Sequence, residues 1–304
     1  MTNTHISVLL EEAVDGLEVQ KGGWYVDGTF GRGGHTKKIM EKGGCVIALD
    51  MDAEAIAYGE SAFAEEIHQG KLLLVRANFD QLEQQVNELK TKHSIPEING
   101  LLFDFGVSSP QIDQPERGFS FQHDVELDMR MDDRLGVKAK DLLALLSEKQ
   151  LTEIFVEFGG EHEAYKIAKA IVAQRTKHPI TTTQQLANLI QNTKKERHSH
   201  LNPATKVFQA LRIAVNSELD SIEQVLPQAL RVLASNSYLV TISFHEGEDR
   251  LVKTSFKNWQ KQGWGEQVNK DVIVPGDEET TLNPRSRSAK LRIFKKVKVA
   301  NEYE

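Results

Sequence analysis

A run of glycines preceded by one acidic residue has the composition of a ligand-binding turn. The sequence DGTFGRGGH (27–35) follows an apolar segment at 24–27 and precedes residues with helical spacing. Glycines let the backbone turn sharply and approach a ligand that a Cβ would exclude. The run lacks the G-x-G-x-x-G spacing of dinucleotide-binding turns. An acidic residue, Asp27, lies four positions before Gly31, as in the turns that hold the methionine part of S-adenosylmethionine.

Two further segments extend this candidate site. Asp50 ends a second apolar run, where a carboxylate accepts hydrogen bonds from both hydroxyls of a ribose. Asp52, just beyond it, is expected to cap the next helix. Asn78 and Phe79 follow a third apolar run, so Phe79 either stacks on an adenine or closes the core. The set predicts S-adenosylmethionine as the cofactor; a doubly wound protein that binds another nucleotide is the alternative.

Alternating strands and helices are needed to position these residues. Helical spacing between the first four apolar runs predicts an α/β fold with a doubly wound parallel sheet. The last two runs are close enough to form a hairpin, which adds one antiparallel strand. This addition is typical of class I, Rossmann-like methyltransferases, and dehydrogenases typically lack it. The predicted strands lie at 24–27, 45–50, 71–75, 100–105, 238–244, 268–275 and 289–297.

More than 130 residues separate the fourth and fifth predicted strands, although a crossover needs only about a dozen. Helical patterns fill most of that gap, so an all-helical domain is expected to interrupt the sheet. We place the methyltransferase domain at 1–112 and 209–304, and an inserted helical substrate-binding domain at 113–208. A long amphipathic segment at 204–233 leads back to the sheet, with a break expected near Pro227.

Composition limits the class of protein. The single cysteine, Cys45, rules out a disulfide framework within the chain and suits a reducing compartment. Neither a signal peptide nor an apolar run of about 20 residues is recognisable, so we predict a cytoplasmic protein without a membrane partner. The net charge of −7 does not favour nucleic-acid binding over the whole surface. Basic residues are concentrated at 285–298 and 194–197, which form either solvated faces or RNA contacts.

Longer strings of residues indicate a family. DFGVSSPQ (104–111), ERGFSF (116–121) and LDMRMD (127–132) resemble the signature stretches of the MraW family, bacterial 16S rRNA cytosine-N4 methyltransferases. Similar stretches occur in order over nearly the whole chain. They include HISVLLEEAV (5–14), FGGE (158–161), NPATKVFQALRIAVNSEL (202–219), ISFHEGEDR (242–250) and NPRSRSAKLR (283–292).

The resemblance implies methyl transfer from S-adenosylmethionine to the N4 amine of a cytidine in the decoding region of 16S rRNA, the family's cytidine 1402. The partner is then 16S rRNA or the small ribosomal subunit. Asp104 is a cofactor contact and also a candidate proton acceptor. With Gly31 from the pattern above, the expected cofactor-binding residues are Gly31, Gly33, Gly34, His35, Asp50, Phe79, Asp104 and Gln111.

Several side chains outside that site are candidates for other roles. Arg130, Arg250, Arg285 and Arg287 are candidate phosphate contacts. For Arg212 a structural salt bridge is expected, and Asp128 and Asp132 are expected to pair with arginines. Phe119 and Phe121 either pack into the core or stack on a base. The spacing of His5, His35 and His245 does not suit zinc, so no bound metal is predicted.

Two other functions are compatible with parts of the sequence. One is a nucleotide-dependent oxidoreductase on the same architecture. The other is an RNA-binding ribosome-assembly factor with a vestigial cofactor pocket. The latter is supported only by Glu246 and Gly247, which replace the usual Ser and Leu of the family's His-Ser-Leu-Glu-Asp-Arg stretch. The oligomeric state stays open, with a dimer as one option.

Overall fold

The computed structural model describes residues 7–194 and 202–297. Contacts divide the chain into a first unit, Met1–Gly106 with Leu219–Glu304, and a second unit, Val107–Glu218. The second unit is therefore longer at both ends than the expected 113–208. Within the described residues, no helix has the length and apolar character that crossing a membrane requires.

Seven strands form one sheet in the first unit. They are β1 Trp24–Asp27, β2 Cys45–Asp50, β3 Leu72–Arg76, β4 Ile98–Asp104, β5 Leu233–Ser243, β6 Gly265–Gln267 and β7 Lys290–Lys296. Their order is β3-β2-β1-β4-β5-β7-β6. Strands β1 to β5 are parallel, and β7 is antiparallel to both β5 and β6. The predicted α/β sheet with one antiparallel strand is confirmed for the described residues.

Helices cover both faces of this sheet or build the second unit. Helices α1 to α7 are Leu10–Asp15, Gly34–Glu41, Ala53–Ala62, Ala64–His68, Leu82–His93, Ser109–Asp113 and Ala139–Leu145. Helices α8 to α14 are Glu148–Glu157, Ala164–Arg175, Thr183–Thr193, Thr205–Asn216, Glu218–Val232, Glu246–Lys261 and Asp277–Leu282. Apolar residues of α5, α12 and α13 pack on one face of the sheet, and those of α1, α2 and α3 on the other. Burial on both faces explains why the strand sequences are almost continuously apolar.

The predicted strand at 268–275 is wrong. The short edge strand β6 ends at Gln267. Beyond it, Val268 N–H donates to the carbonyl of Ile293 at 3.0 Å, and Ile273 forms an isolated bridge with Leu291. The side chain of Asn269 takes the place of strand pairing there. Its Oδ1 accepts from Ile293 N–H at 3.0 Å, and its Nδ2 donates to the carbonyl of Asp271 at 2.8 Å. A local side-chain interaction of this kind has no apolar signature in the sequence.

The break predicted near Pro227 is also misplaced. Pro227 lies inside α12, whereas the chain turns at Ser217, which has a left-handed φ of 49° between α11 and α12. A proline inside a helix removes one backbone hydrogen bond, and the tightly packed apolar face of α12 compensates for that loss. Serine carries no comparable signal for a left-handed residue, so the sequence did not identify the turn.

The second unit has its own apolar core. Buried side chains from α7 to α11 meet in one cluster, and Phe119 and Phe121 pack against it. Phe121 contacts Phe208 edge to face, with ring centroids 5.1 Å apart. The expectation that these two phenylalanines pack into the core is confirmed.

Candidate cofactor site

The glycine turn 27–35 joins β1 to α2 and is hydrogen-bonded to both neighbouring strands. Phe30 N–H donates to the carbonyl of Leu49 on β2, and Gly28 N–H donates to that of Leu102 on β4, each at 2.9 Å. The turn therefore spans the carboxyl ends of the strands where the sheet order reverses. Ligands of doubly wound proteins bind at this point.

The glycines of the turn serve two different purposes. Gly31 has a φ of 54°, and a Cβ there would meet nothing closer than Thr29 O at 4.0 Å, so a ligand has room to approach. Gly33 has a φ of 72°, and its Cβ would come within 2.7 Å of the Phe63 ring. A Cβ on Gly34 would lie 1.9 Å from Ser7 Oγ. At Gly33 the left-handed backbone and the Phe63 ring require glycine, and at Gly34 a Cβ would displace the Ser7 hydroxyl. The contacts of both residues with a cofactor stay predictions.

Asp50 lies beside the open part of the turn. Its Oδ2 accepts from Gly31 N–H at 2.7 Å and its Oδ1 accepts from Asp52 N–H at 2.9 Å. Burial raises the pKa of Asp50 to about 6, although these two N–H groups oppose the rise. Each carboxylate oxygen keeps a second lone pair, which suits two ribose hydroxyls. Asp52 accepts from Glu54 N–H at 3.1 Å, so its predicted role as a helix cap is confirmed.

Asp27 and His35 are buried beneath the turn. The carboxylate of Asp27 accepts from Thr36 Oγ1 at 2.7 Å and from Thr29 N–H at 3.1 Å. Burial raises the pKa of Asp27 and lowers that of His35. His35 Nε2 lies 3.1 Å from the carbonyl of Val8, which only accepts, so this nitrogen carries the proton. The His35 side chain is thus engaged within the protein, and its contact with a cofactor stays a prediction.

Asp104 ends β4 and is the acid of this site whose negative charge is least offset by neighbouring groups. Its N–H donates to Thr29 Oγ1 at 2.7 Å, whereas its Oδ1 is buried and has no hydrogen-bond partner among the described residues. Burial raises the pKa of Asp104 well above its usual value, and the negative charges of Asp27, Glu248 and Glu279 raise it further. A buried polar atom without a partner is typical of a position that a ligand completes.

Glu248 and Glu279 were not singled out from the sequence. Glu248 is fully buried, and its Oε2 accepts from Phe244 N–H at 2.6 Å and from His245 N–H at 3.2 Å. Its three-residue spacing from His245, the first residue before α13, was an available signal for a helix cap. Glu279 accepts from Leu9 N–H at 2.9 Å, a contact between residues 270 positions apart that no local pattern indicates.

The positions of Phe79 and Gln111 leave their predicted cofactor contacts untested. The half-buried Phe79 ring packs edge to face on Phe103 and Phe105, with centroids 6.0 and 5.7 Å away. Gln111 belongs to the second unit, and its Oε1 accepts from Ser108 N–H at 3.0 Å to cap α6.

The predicted RNA contacts differ in how their side chains are used. Arg130 donates to both carboxylate oxygens of Asp128, at 2.7 and 2.9 Å, and to the carbonyls of Asp133 and Leu135. Most of its hydrogen-bonding capacity is therefore used inside the second unit. By contrast, Arg250, Arg285 and Arg287 are exposed.

The salt bridge expected for Arg212 and the arginine partner expected for Asp128 are confirmed: Arg212 pairs with Glu218 at 2.8 Å, and Asp128 pairs with Arg130 at 2.7 Å. Asp132 also pairs with an arginine at 2.7 Å, but this is Arg134, which was not among the candidate RNA contacts. His5 and three residues of the predicted basic stretches, Lys195, Arg197 and Lys298, lie outside the described residues.

The arrangement of charge at the turn decides between classes of ligand. Dinucleotide sites direct a helix N terminus at a phosphate, whereas acids surround this turn and favour a positively charged ligand. The ammonium and sulfonium groups of S-adenosylmethionine meet that requirement, and its ribose suits Asp50. Rossmann-like, S-adenosylmethionine-dependent methyltransferases are the class of protein that this fold and site define.

Comparison with known proteins gives the family. Residues 2–297 match the family model described as the MraW methylase family. The chain belongs to this family, so it is an S-adenosylmethionine-dependent methyltransferase, as the sequence predicted. Membership in a family of methylases decides against the oxidoreductase alternative.

Relatives with assigned names cover nearly the same length. A protein from Dechloromonas aromatica named "Ribosomal RNA small subunit methyltransferase H" is 41% identical over 97% of this chain and 99% of its own. A protein of the same name from Caldicellulosiruptor saccharolyticus is 43% identical over 96% and 99%, respectively. A solved rRNA methylase from Streptococcus thermophilus aligns over 96% of this chain and 99% of its own with 10% identity and a TM-score of 0.46, too distant to support a functional comparison.

Proposed function

We propose that this protein methylates the N4 amine of a cytidine in the decoding region of 16S rRNA, using either the RNA or the small ribosomal subunit as substrate. The observation that supports this most directly is 40–43% identity, over nearly the whole length, with proteins named for methylation of small-subunit ribosomal RNA. The cytidine and its N4 position come from the resemblance of the sequence motifs to the family.

The residues around the turn have different roles in binding the methyl donor. S-adenosylmethionine supplies a methyl group on a positively charged sulfur, which a nitrogen lone pair can attack directly. Asp50 would hold the ribose, and Gly31 leaves room beside the turn for the ligand. Asp27 supports the turn from below through Thr29 and Thr36.

Asp104 is the candidate for handling the proton of the acceptor. The amine of cytosine is a poor nucleophile because its lone pair is delocalised into the ring, so correct positioning must provide much of the acceleration. An acceptor near the nitrogen helps it to pyramidalise and takes its proton after methyl transfer. Base pairing hides this amine, so the target cytidine must be unpaired or flipped out when it reacts.

Mass spectrometry of nucleosides from small-subunit rRNA tests the proposal. Deleting the gene should remove N4-methylated cytidine, and expressing the wild-type protein should restore it. The variant Asp104→Asn distinguishes an enzyme from an assembly factor. We expect that its expression after deletion of the gene does not restore N4-methylated cytidine, and that the variant does not transfer a methyl group from S-adenosylmethionine. An unchanged level of N4-methylated cytidine after deletion would contradict the proposal.

A further inference from the structure

Acids from three different elements face Asp104 at the end of β4. Asp27 ends β1, Glu248 lies on α13 and Glu279 lies on α14. Glu248 lies close to the chain just after Asp104, since a Cβ on Gly106 would be 3.5 Å from Glu248 Oε1. The four carboxyl groups therefore share one region at the carboxyl edge of the sheet.

Two of these acids, Asp27 and Asp104, have no lysine or arginine partner within the part of the chain that the structure describes. Imidazoles are the nearest titratable partners: His35 faces Asp27, and His245 Nε2 lies 3.1 Å from Glu248 Oε1. Like charges held close together in a buried site are not all ionised at once.

We propose that a proton occupies the Asp104 carboxyl group while the donor site is empty, and that binding of S-adenosylmethionine releases this proton to solvent. A positive charge of the donor then takes the place of the proton beside Asp104. The proposal rests on the donor-binding part of the proposed function and adds a proton to its binding equilibrium.

The unpartnered Oδ1 atom supports this exchange. A buried carboxylate oxygen without a donor is costly when it is ionised, but much less so as part of a neutral carboxylic acid. The pKa of Asp104 is raised well above its usual value by burial and by its three acidic neighbours, in the direction that the proposal requires. A donor carrying ammonium and sulfonium charges lowers this pKa on binding, so the proton leaves.

Linkage then gives the dependence of affinity on pH. While Asp104 is protonated in the empty site, donor affinity should rise with pH by up to roughly tenfold per pH unit. Above the raised pKa, the affinity should level off because the carboxylate is already ionised. Asp50 has a pKa of about 6 and is largely ionised above pH 7, whereas the α-amino group of the donor itself titrates at about pH 8. The difference between the wild type and Asp104→Asn therefore isolates Asp104.

Isothermal titration calorimetry with the full-length protein measures the released proton directly. S-adenosylmethionine is titrated at pH 7.5 in buffers of different ionisation enthalpy, and the slope of the binding enthalpy gives the protons released per donor bound. The α-amino group of the donor exchanges protons with both proteins at this pH, so we expect the wild type to release a substantial fraction of one proton more than Asp104→Asn. Equal proton exchange in the two proteins would overturn the inference alone, whereas absence of donor binding would overturn the proposed function with it.

A milder pair of variants keeps the test valid if Asp104→Asn folds poorly. Glu279→Gln retains an oxygen for Leu9 N–H but removes one negative charge that faces Asp104. We expect the pH at which proton release falls to half to move to a lower value. Glu278→Gln, at an exposed position of the same helix, is the matched control and should leave it unchanged. Equal shifts in both variants, or no shift in either, would contradict the inference.

Discussion

Buried acids are used in opposite ways in the second unit and around the glycine turn of the first unit. In the second unit, acids with little solvent exposure pair with a cation at 2.7–2.8 Å, as in the pairs Asp128–Arg130, Glu161–Lys194 and Glu218–Arg212. At the glycine turn of the first unit, Asp27, Asp50 and Asp104 form no ion pair with lysine or arginine of the described residues. The sequence contains many acids, and the presence or absence of a paired cation separates the structural ones from those that we propose to surround the donor.

The pKa directions show the same contrast. Burial alone would raise the pKa of Asp128, but hydrogen bonds from Arg130 and Lys138 outweigh it, and the pKa is lowered. At Asp104, burial raises the pKa, and the neighbouring negative charges act in the same direction. Asp128 therefore stabilises the folded protein in its ionised form. Ionised Asp104 weakens the fold until a positively charged ligand is bound.

The largest effect is expected where an acid of the turn serves the ligand. Asp50→Ala should weaken binding of S-adenosylmethionine by roughly a hundredfold or more, because it would remove the two charge-assisted hydrogen bonds to the ribose that we propose for Asp50, at about 1.5–3 kcal/mol each. Calorimetric titration provides the dissociation constant, and thermal unfolding shows whether the variant is folded. Wild-type affinity in a folded variant would contradict a role of Asp50 in donor binding, on which the contrast between the two kinds of acid depends.

A different loss is expected when a paired arginine of the second unit is removed. Arg130→Ala should lower the free energy of unfolding by about 2–4 kcal/mol, because the mostly buried Asp128 loses the closer of its two cations, Lys138 remaining at 3.1 Å, and two carbonyls lose a donor. Urea unfolding measures this change. Calorimetric titration should show unchanged donor affinity.

Arg130 was also predicted from the sequence to contact RNA, and the same variant tests that role. If its stability stays at the wild-type level while affinity for 16S rRNA falls, the side chain contacts phosphate and the structural interpretation is wrong. Arg287→Ala is the matched control, since Arg287 is exposed and its loss should leave the free energy of unfolding nearly unchanged.

The dependence of stability on pH should have opposite signs at the two kinds of acid. Because the pKa of Asp104 is raised by folding, the wild type loses stability as pH rises from the usual value of an aspartate through the raised one. Asp104→Asn should therefore have a higher melting temperature than the wild type at pH 8, and the two curves should converge at acidic pH.

At Asp128 the sign is reversed because folding lowers its pKa. Its contribution is fully present above the usual pKa of an aspartate and is lost as pH falls through the lowered one. Asp128→Asn should thus be less stable than the wild type at neutral pH, with a difference that shrinks in acid. Melting curves that run parallel over the whole pH range for either variant would contradict this assignment.

The sequence was informative where a pattern is local. The glycine turn, the aspartate at the end of β2 and the apolar strands are read from neighbouring residues, and the structure brings the turn and both aspartates, Asp50 and Asp104, to one edge of the sheet. The structure also explains how the stretch at 245–250 tolerates its departure from the family pattern. The changed residue Glu246 is exposed. The retained residues are engaged: Glu248 is buried, and Asp249 pairs with Arg292 at 2.7 Å. The changes therefore spare the residues that hold this segment together.

What the sequence did not provide depends on contacts between distant residues. Glu279 accepts from the N–H of Leu9, 270 positions away, and Gly34 lies against the hydroxyl of Ser7. The turn at Ser217 and the side-chain pairing by Asn269 replace regular structure without a change in composition. Hydrophobic periodicity reports which face is buried, and it carries no information about which polar groups meet there.

The smallest effect is expected for an exposed ion pair, which separates the contribution of pairing to stability from that of burial. Lys149 and Glu153 are four residues apart on α8 and form an ion pair at 3.8 Å, with 86% and 58% of their side chains exposed. Water screens such a pair, so Glu153→Gln should change the free energy of unfolding by at most about 0.5 kcal/mol. Urea unfolding beside Arg130→Ala measures both under the same conditions. A loss as large as that of Arg130→Ala would mean that pairing alone stabilises the second unit, and burial would no longer distinguish its structural acids from the acids of the turn.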